Sequence, residues 1–338
     1  MWRQIKMLEE IKSKLIFRRE TYDPVSVSFM DELRKRDKTK RIYEIDPYAE
    51  VYQFRDNVYA ILTDNLDGGY CSWMFLVVGP KNAFLVDTSY GLGDLKGLVD
   101  MLAGGRPVIV GNTHASFDHS YGNCRFEQAY CHEYAVPYME ERQNPYIWDY
   151  LFDDDGNGIW VKFDRKDLPE WKRYEVTGVP DGYIFDLGGG HEIELIWLPG
   201  HQPGHAGFLD KKNRILFCGD DLISMRVQIA DLPTDHPFAE FGTVEAYHEC
   251  MVRLERRINE FDRIFPGHFC LDIDSSVVHG AVKASASVLA APNSPDYIAK
   301  DRKGNWVRFK YMEGLGTLMY NENNIYCGQK RKQKENMK

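Results

Sequence analysis

The sequence predicts a layered α/β (α+β) domain, and three observations carry that prediction. From about residue 50 the chain becomes a series of short apolar runs separated by turn residues, which is how strands read. Two stretches, FLVVGPKNAFLVDT (75–88) and GFLDKKNRILFCGD (207–220), repeat one order of apolar run, polar turn, apolar run and aspartate. Each therefore reads as a hairpin that delivers a carboxylate at a strand end, and the pair suggests two related halves. Helical segments lie between and after them, and strands mixed with helices in both halves require a layered architecture.

Taken in order, residues 2–16 place Trp2, Ile5, Leu8, Ile11 and Leu15 at three- and four-residue steps, the period of one helical face. Glu9, Glu10 and Glu20 dilute the basic charge of this segment. Packing on the domain or on a second subunit is expected rather than on a membrane surface, and the second case would make a homo-oligomer. A helical extension is assigned to 1–48, the main domain to 49–290 and a C-terminal extension to 291–338. Within the main domain, 133–180 is dense in aromatics outside any clear strand pattern and reads as a separately packed insertion that caps the cleft. A helix is expected from Thr243 to Phe261, with Val244, Tyr247, Met251, Leu254, Ile258 and Phe261 in helical period behind a Thr243 cap. The tail KRKQKENMK (330–338) has only Met337 to anchor it and is expected to be disordered.

At about 150 residues per domain, 338 residues allow one large domain with additions or two ordinary ones. Hydrophobic residues at 43% and charged residues at 28% exclude a disordered, collagen-like or coiled-coil chain. With 42 Lys and Arg against 51 Asp and Glu the net charge is −9, so nucleic acid and anionic membrane are poor default partners. No apolar run approaches the roughly 18 residues of a membrane span. The N-terminus lacks an apolar core followed by a small-residue cleavage site, which places the protein in the cytoplasm. The seven cysteines are odd in number and contain no Cys-x-x-Cys pair, a pattern of reduced, buried thiols.

Chemistry concentrates where apolar runs end. Pro107 to Val110 leads to His114, with Asp118 and His119 close behind, and Ile193 to Leu198 leads through Pro199 and Gly200 to His201. Ile215 to Cys218 leads through Gly219 to Asp220, and Ile264 and Phe265 lead through Pro266 and Gly267 to His268. If those strands share one sheet edge, four histidines and two carboxylates meet in one cleft, the nitrogen and oxygen set that zinc or iron prefers. The glycines before His201, Asp220 and His268 permit the tight turns that aim the side chains.

These words resemble the metallo-β-lactamase superfamily over about residues 50–280: THASFDH (113–119), LPGHQPGH (198–205), LFCGDD (216–221) and FPGH (265–268). The resemblance implies a four-layered αββα sandwich of two similar halves. It implies that His114 and His201 belong to a first metal site, that Asp118, His119 and His268 form a second, and that Asp220 bridges them. Asp87 matches a supporting aspartate of the family, and His205 would stand outside the ligand shell. One departure concerns Ser116, which stands where the family word His-x-His-x-Asp-His has a ligand. A neutral hydroxyl is a weak zinc ligand, so one tight metal and one weaker or absent metal are expected, with zinc ahead of iron or manganese.

His132, His191, His248 and His279 are expected to be structural or exposed, and His236 sits in a polar loop that could reach the cleft mouth. Asp153 to Gly158, with Asp164 at the twelfth position, resembles a calcium loop. Asp164 in place of the usual Glu, and no clear helix behind it, favour a plain Asp/Gly/Asn turn.

The function implied by the resemblance is a metal-dependent hydrolase attacking an ester, thioester, lactone or amide of a small molecule. Asp118 or Asp220 would orient the nucleophile or move its proton. Two alternatives stay open: a mononuclear iron dioxygenase like the persulfide dioxygenases of the superfamily, on His114, His201 and Asp220, or a degenerate metal-binding protein marked by Ser116.

Overall fold

The computed structural model describes residues 16–17, 24–69, 71–301 and 304–328. The N-terminal helix expected over 2–16 falls outside them except for Ile16, and the tail 330–338 falls outside them entirely. Two units divide the chain. One contains Met1–Cys131, Val136–Val179 and Ile184–Ile193, the other His132–Ala135, Pro180–Tyr183 and Glu194–Lys338.

In the first unit the elements run β1 (Ile16–Phe17), α1 (Pro24–Arg36), β2 (Arg41–Tyr43), β3 (Asp46–Arg55), β4 (Val58–Asp64), β5 (Cys71–Val78), β6 (Ala83–Val86), α2 (Leu95–Ala103) and β7 (Val108–Gly111). They continue with α3 (Phe117–Ser120), β8 (Gln128–His132), α4 (Val136–Glu141), β9 (Val161–Lys162), β10 (Glu175–Val179) and β11 (Ile184–Gly188). Eight of the strands form one sheet in the order β10-β8-β7-β6-β5-β4-β3-β2. The first expected hairpin is there: Phe75 lies opposite Val86 and Val78 opposite Ala83. Sequence explains why β5 and β6 are buried along nearly their whole length: their apolar runs are continuous rather than alternating, which suits strands covered on both faces.

Helix α2 starts where the Asp94 carboxylate accepts from the Gly97 N–H and stops at Gly104, whose φ of 63° is the left-handed conformation that glycine adopts without a Cβ clash. Its buried Leu95, Leu98 and Val99 join Leu85, Val110 and Leu76 in one core. Each such side chain contributes about 1.5–3 kcal/mol by leaving water. Trp148, Leu151 and Tyr174 of the aromatic insertion are buried in that same core.

The chain enters the second unit within β12 (His191–Trp197) and continues as β13 (Ala206–Asp210), β14 (Ile215–Gly219), β15 (Arg226–Gln228), α5 (Val244–Glu255), β16 (Arg263–Pro266), β17 (Ile273–Asp274), α6 (Val277–Ala290), β18 (Tyr297–Lys300), β19 (Trp306–Met312) and β20 (Gly316–Tyr320). Its main sheet carries β12, β13, β14, β16 and β17 in that order, and a smaller one orders β15-β20-β19-β18. The second hairpin is also as expected, with Phe208 opposite Phe217 and Asp210 opposite Ile215. Helices α5 and α6 share an apolar core with Leu198, Leu209, Leu216, Ile264 and Leu318.

Thr243 caps α5 through its hydroxyl, which accepts from the Ala246 N–H. The helix ends at Glu255 rather than Phe261. Past that end Arg257 donates to Glu194 and Glu260 at 2.8 Å, and the chain turns into a short 3-10 segment, Ile258–Glu260. None of the seven cysteines is in a disulfide, and among the described residues no helix is long and apolar enough to cross a membrane.

Candidate functional site

Of the six residues singled out in the sequence, three lie in each unit. In the first unit β7 runs into the loop 112–116 and the single-turn helix α3, which carry His114, Asp118 and His119. The loop is fixed by buried side-chain amides. Asn112 donates to the His119 carbonyl at 2.9 Å, Asn123 donates to Asn112 Oδ1 at 2.9 Å, and Thr88 donates to Asn123 Oδ1 at 2.8 Å.

Asp87, at the end of β6, holds both histidines. Its backbone sits at φ 62°, a left-handed conformation that Asp tolerates better than most residues and that turns its carboxylate toward the loop. Oδ1 accepts from the Thr113 N–H at 2.7 Å, and Oδ2 accepts from the Thr113 hydroxyl and from His119 Nδ1, each at 2.8 Å. Since the Thr113 hydroxyl has one proton and gives it to Asp87, its contact of 3.1 Å with His114 Nδ1 makes that nitrogen the donor. Both imidazoles are thereby set as tautomers with Nε2 as the basic nitrogen. Asp87 is the support expected from the sequence, not one of the donors.

Asp118 is oriented from β4 and β5. Asn65 Nδ2 donates to its Oδ2 at 2.9 Å, and the Ser72 hydroxyl donates to Asn65 Oδ1 at 2.6 Å. The other oxygen, Oδ1, lies 3.8 Å from His119 Nε2. Ser116 is the residue before α3, in extended conformation, and its carbonyl accepts from the N–H groups of His119 and Ser120 at 3.0 Å. Beside α3 the insertion contributes Tyr150, whose ring meets Phe117 at 6.3 Å and Trp160 at 6.3 Å, while Tyr90 meets Phe117 at 5.9 Å.

In the second unit, the turn after β12 needs Gly200. Its φ is 137°, and a Cβ there would stand 2.7 Å from the Tyr247 Cβ. His201 follows, with Nδ1 donating to the Gln228 carbonyl at 2.9 Å, so here too Nε2 is the basic nitrogen. Burial pushes the His201 imidazolium down in pKa, which favours the neutral ring that a metal needs. Asp220 lies between two histidines: Oδ2 is 3.6 Å from His201 Nε2 and Oδ1 is 3.3 Å from His268 Nε2.

Behind Asp220, His205 Nε2 accepts the Asp220 N–H at 3.0 Å, which leaves its Nδ1 protonated and facing Asp221 Oδ2 at 2.9 Å. His205 and Asp221 are both fully buried. Tyr247 closes this layer by donating its hydroxyl to the Asp221 carbonyl at 2.8 Å.

The donor chemistry fits a divalent metal. Ligand atoms about 2.0–2.1 Å from one tetrahedral ion lie roughly 3.3 Å apart, close to the Nε2 to carboxylate spacings of 3.3, 3.6 and 3.8 Å within each unit. Three of the imidazoles are also fixed through Nδ1 by an acceptor behind them, an arrangement typical of histidine ligands.

Asn65, Ser72 and Asp221 were not anticipated. Of the three, only Asp221 had a sequence signal, the doubled aspartate of LFCGDD. The remaining histidines do other work. His132 stacks on Trp197 at 5.2 Å, and burial lowers its pKa to about 4. His191 is buried. His236 accepts from the Phe238 N–H, His248 meets Ser285 at 3.0 Å, and His279 meets Glu255 at 2.6 Å. In the calcium-like loop Asp153 Oδ1 accepts from the N–H groups of Asp155 and Asn157, and Asp164 pairs with Lys166, which is the geometry of a turn.

The sequence profile of the metallo-beta-lactamase superfamily matches residues 66–268. The chain is 26% identical over 233 residues to the acyl-coenzyme A thioesterase MBLAC2 of Homo sapiens, covering 63% of this chain and 78% of that one. It is 38% identical over 53 residues to the hydroxyacylglutathione hydrolase GloC of Haemophilus influenzae, 16% of this chain and 24% of that one. Among solved structures, the DIM-1 metallo-beta-lactamase superposes with a TM-score of 0.50 at 17% identity, over 72% of this chain and 99% of that one, a likeness that shows the fold.

Proposed function

Because the chain belongs to the metallo-beta-lactamase superfamily and is an enzyme of hydrolase type, we propose that it hydrolyses acyl bonds of small molecules, thioesters first. The single observation that carries this reading is the donor set: histidines fixed through Nδ1 and carboxylates at tetrahedral-edge spacing from Nε2. The thioesterase named among the relatives supports the choice of a thioester.

In this reading His114, Asp118, His119, His201, Asp220 and His268 would supply the donors for divalent metal, and Ser116, a neutral hydroxyl, would add little to them. Zinc is the proposed metal. A bound ion of this kind lowers the pKa of water and polarises a carbonyl. The chain's own residues do the rest. Asp87 keeps His114 and His119 in the required tautomer, and His205 with Asp221 holds the backbone of Asp220 still. Asp118 takes the proton of the attacking water and gives it to the leaving thiolate as the C–S bond breaks. Tyr150 and Phe117 offer the acyl portion an apolar contact beside Asp118. Seven cysteines outside disulfides suit a reducing, cytoplasmic setting.

The test is release of free thiol from acyl-coenzyme A substrates by zinc-loaded protein, measured with and without oxygen. One thiol per acid, loss with chelator, return with zinc and no change under anaerobiosis are expected. Oxygen uptake in step with turnover of a sulfur substrate, or no hydrolysis of any acyl compound by the metal-loaded protein, would overturn the reading.

A further inference from the structure

The Asp118 carboxylate is gripped by a neutral side chain from a distant part of the chain, Asn65. Asn65 follows β4 and Ser72 lies in β5, so the two flank one loop and face each other across it. Both are buried, as is Asp118. The Ser72 hydroxyl has a single proton and two acceptors within reach, Asn65 Oδ1 at 2.6 Å and Asp118 Oδ2 at 3.4 Å. The shorter contact takes it. That donation fixes the Asn65 amide with its oxygen toward Ser72 and its NH2 toward Asp118, since the flipped amide would set two oxygens against each other at 2.9 Å. The space is tailored as well: a Cβ on Gly69 would stand 3.1 Å from Asn65 Nδ2.

We propose that Asn65, locked by Ser72, is a positioning residue that ties down Oδ2 of Asp118 and so commits Oδ1, the oxygen on the His119 side, to metal and water. A carboxylate held by one oxygen presents the other in one fixed orientation, whereas an untethered one rotates about its Cβ–Cγ bond and can turn both oxygens to a cation. The inference rests on the proposed function for the meaning of the Oδ1 position, but the interaction itself is tested without substrate.

The experiment compares Asn65→Leu, Ser72→Ala, Ser72→Thr and the double variant Asn65→Leu/Ser72→Ala. Each is loaded with cobalt(II), and its visible absorption and its loss of metal to a competing chelator are read. Losing an outer partner of a ligand typically costs 10–100-fold in metal affinity or activity. Asn65→Leu should therefore release metal about tenfold more readily and change the cobalt spectrum. Its kcat for thioester hydrolysis should fall about 10–100-fold with KM nearly constant. Ser72→Ala should show a smaller loss of the same kind, and Ser72→Thr, which keeps the hydroxyl, should recover most of it. Because Ser72 acts only through Asn65, the double variant should be no worse than Asn65→Leu.

Unchanged metal release and spectrum in Asn65→Leu, or additive losses in the double variant, would overturn the proposal. If Asn65→Leu does not fold, Ser72→Ala and Ser72→Thr decide, and equal metal release in those two would overturn it. A wild-type protein that shows the metal effects but cleaves no thioester would refute the substrate reading and leave this assignment standing.

Discussion

Asp87 Oδ2 lies 2.8 Å from His119 Nδ1 with both side chains out of contact with water, and the same oxygen accepts the Thr113 hydroxyl that braces His114. One carboxylate therefore sets two imidazoles. Asp87→Ala strands the Thr113 N–H and His119 Nδ1 in a buried place, at about 1–3 kcal/mol for each group. Urea unfolding of this variant should show a loss of about 3 kcal/mol, and metal content should drop with it. Asp87→Asn offers one acceptor where two are needed and should recover only part of the loss. Wild-type stability and metal content in both variants would show that the histidines are held by something else.

On the proposed function, removal of Asp118 or of His268 should cost more metal than removal of His114. Metal analysis of protein purified without added metal should rank Asp118→Ala and His268→Ala below His114→Ala, with activity abolished in the first two. Equal metal in all three contradicts the assignment.

Ser116→His restores an imidazole where a hydroxyl now stands, and imidazole is the far better zinc ligand. Metal per chain, read by plasma mass spectrometry on folded protein, should rise toward two. No rise would mean that position 116 does not face a metal.

Burial holds His132 at a pKa of about 4 in the folded chain, below the ordinary 6.5. The folded state thus binds fewer protons than the unfolded one between those values. The ring's stabilisation is full above pH 6.5 and fades as pH falls toward 4, by about 3 kcal/mol in all. His132→Phe keeps a ring against Trp197 and removes the titration. Denaturant unfolding at pH 7.5 and at pH 4.5 should show wild type losing more stability than the variant, and parallel losses would refute the assignment.

What could be read in the sequence was whatever is encoded locally. The two hairpins, the Thr243 cap and the four strand-end words each occupy a few consecutive residues, so their apolar runs, glycines and polar ends were sufficient. Asn65 and Ser72 carried no such mark: a lone polar residue at a strand end is ordinary, and Asn65 acquires its role only from Asp118, 53 residues away. The end of α5 was misjudged for a related reason. Ile258 and Phe261 continue the helical period, but the helix stops at Glu255, and the Arg257 that follows it pairs with Glu194, 63 residues back in the chain.

Tyr247 touches two donor-bearing turns from a helix that bears none of the six candidate donors. Its Cβ leaves room for nothing larger than hydrogen at Gly200, and its hydroxyl clasps the Asp221 carbonyl. The spacing between His201 and Asp220 is therefore gauged by where α5 seats itself in the apolar core. Any repacking beneath that helix, at Met251 or Leu254 for instance, would act as an adjusting screw on that spacing, detuning the donors without altering one of them.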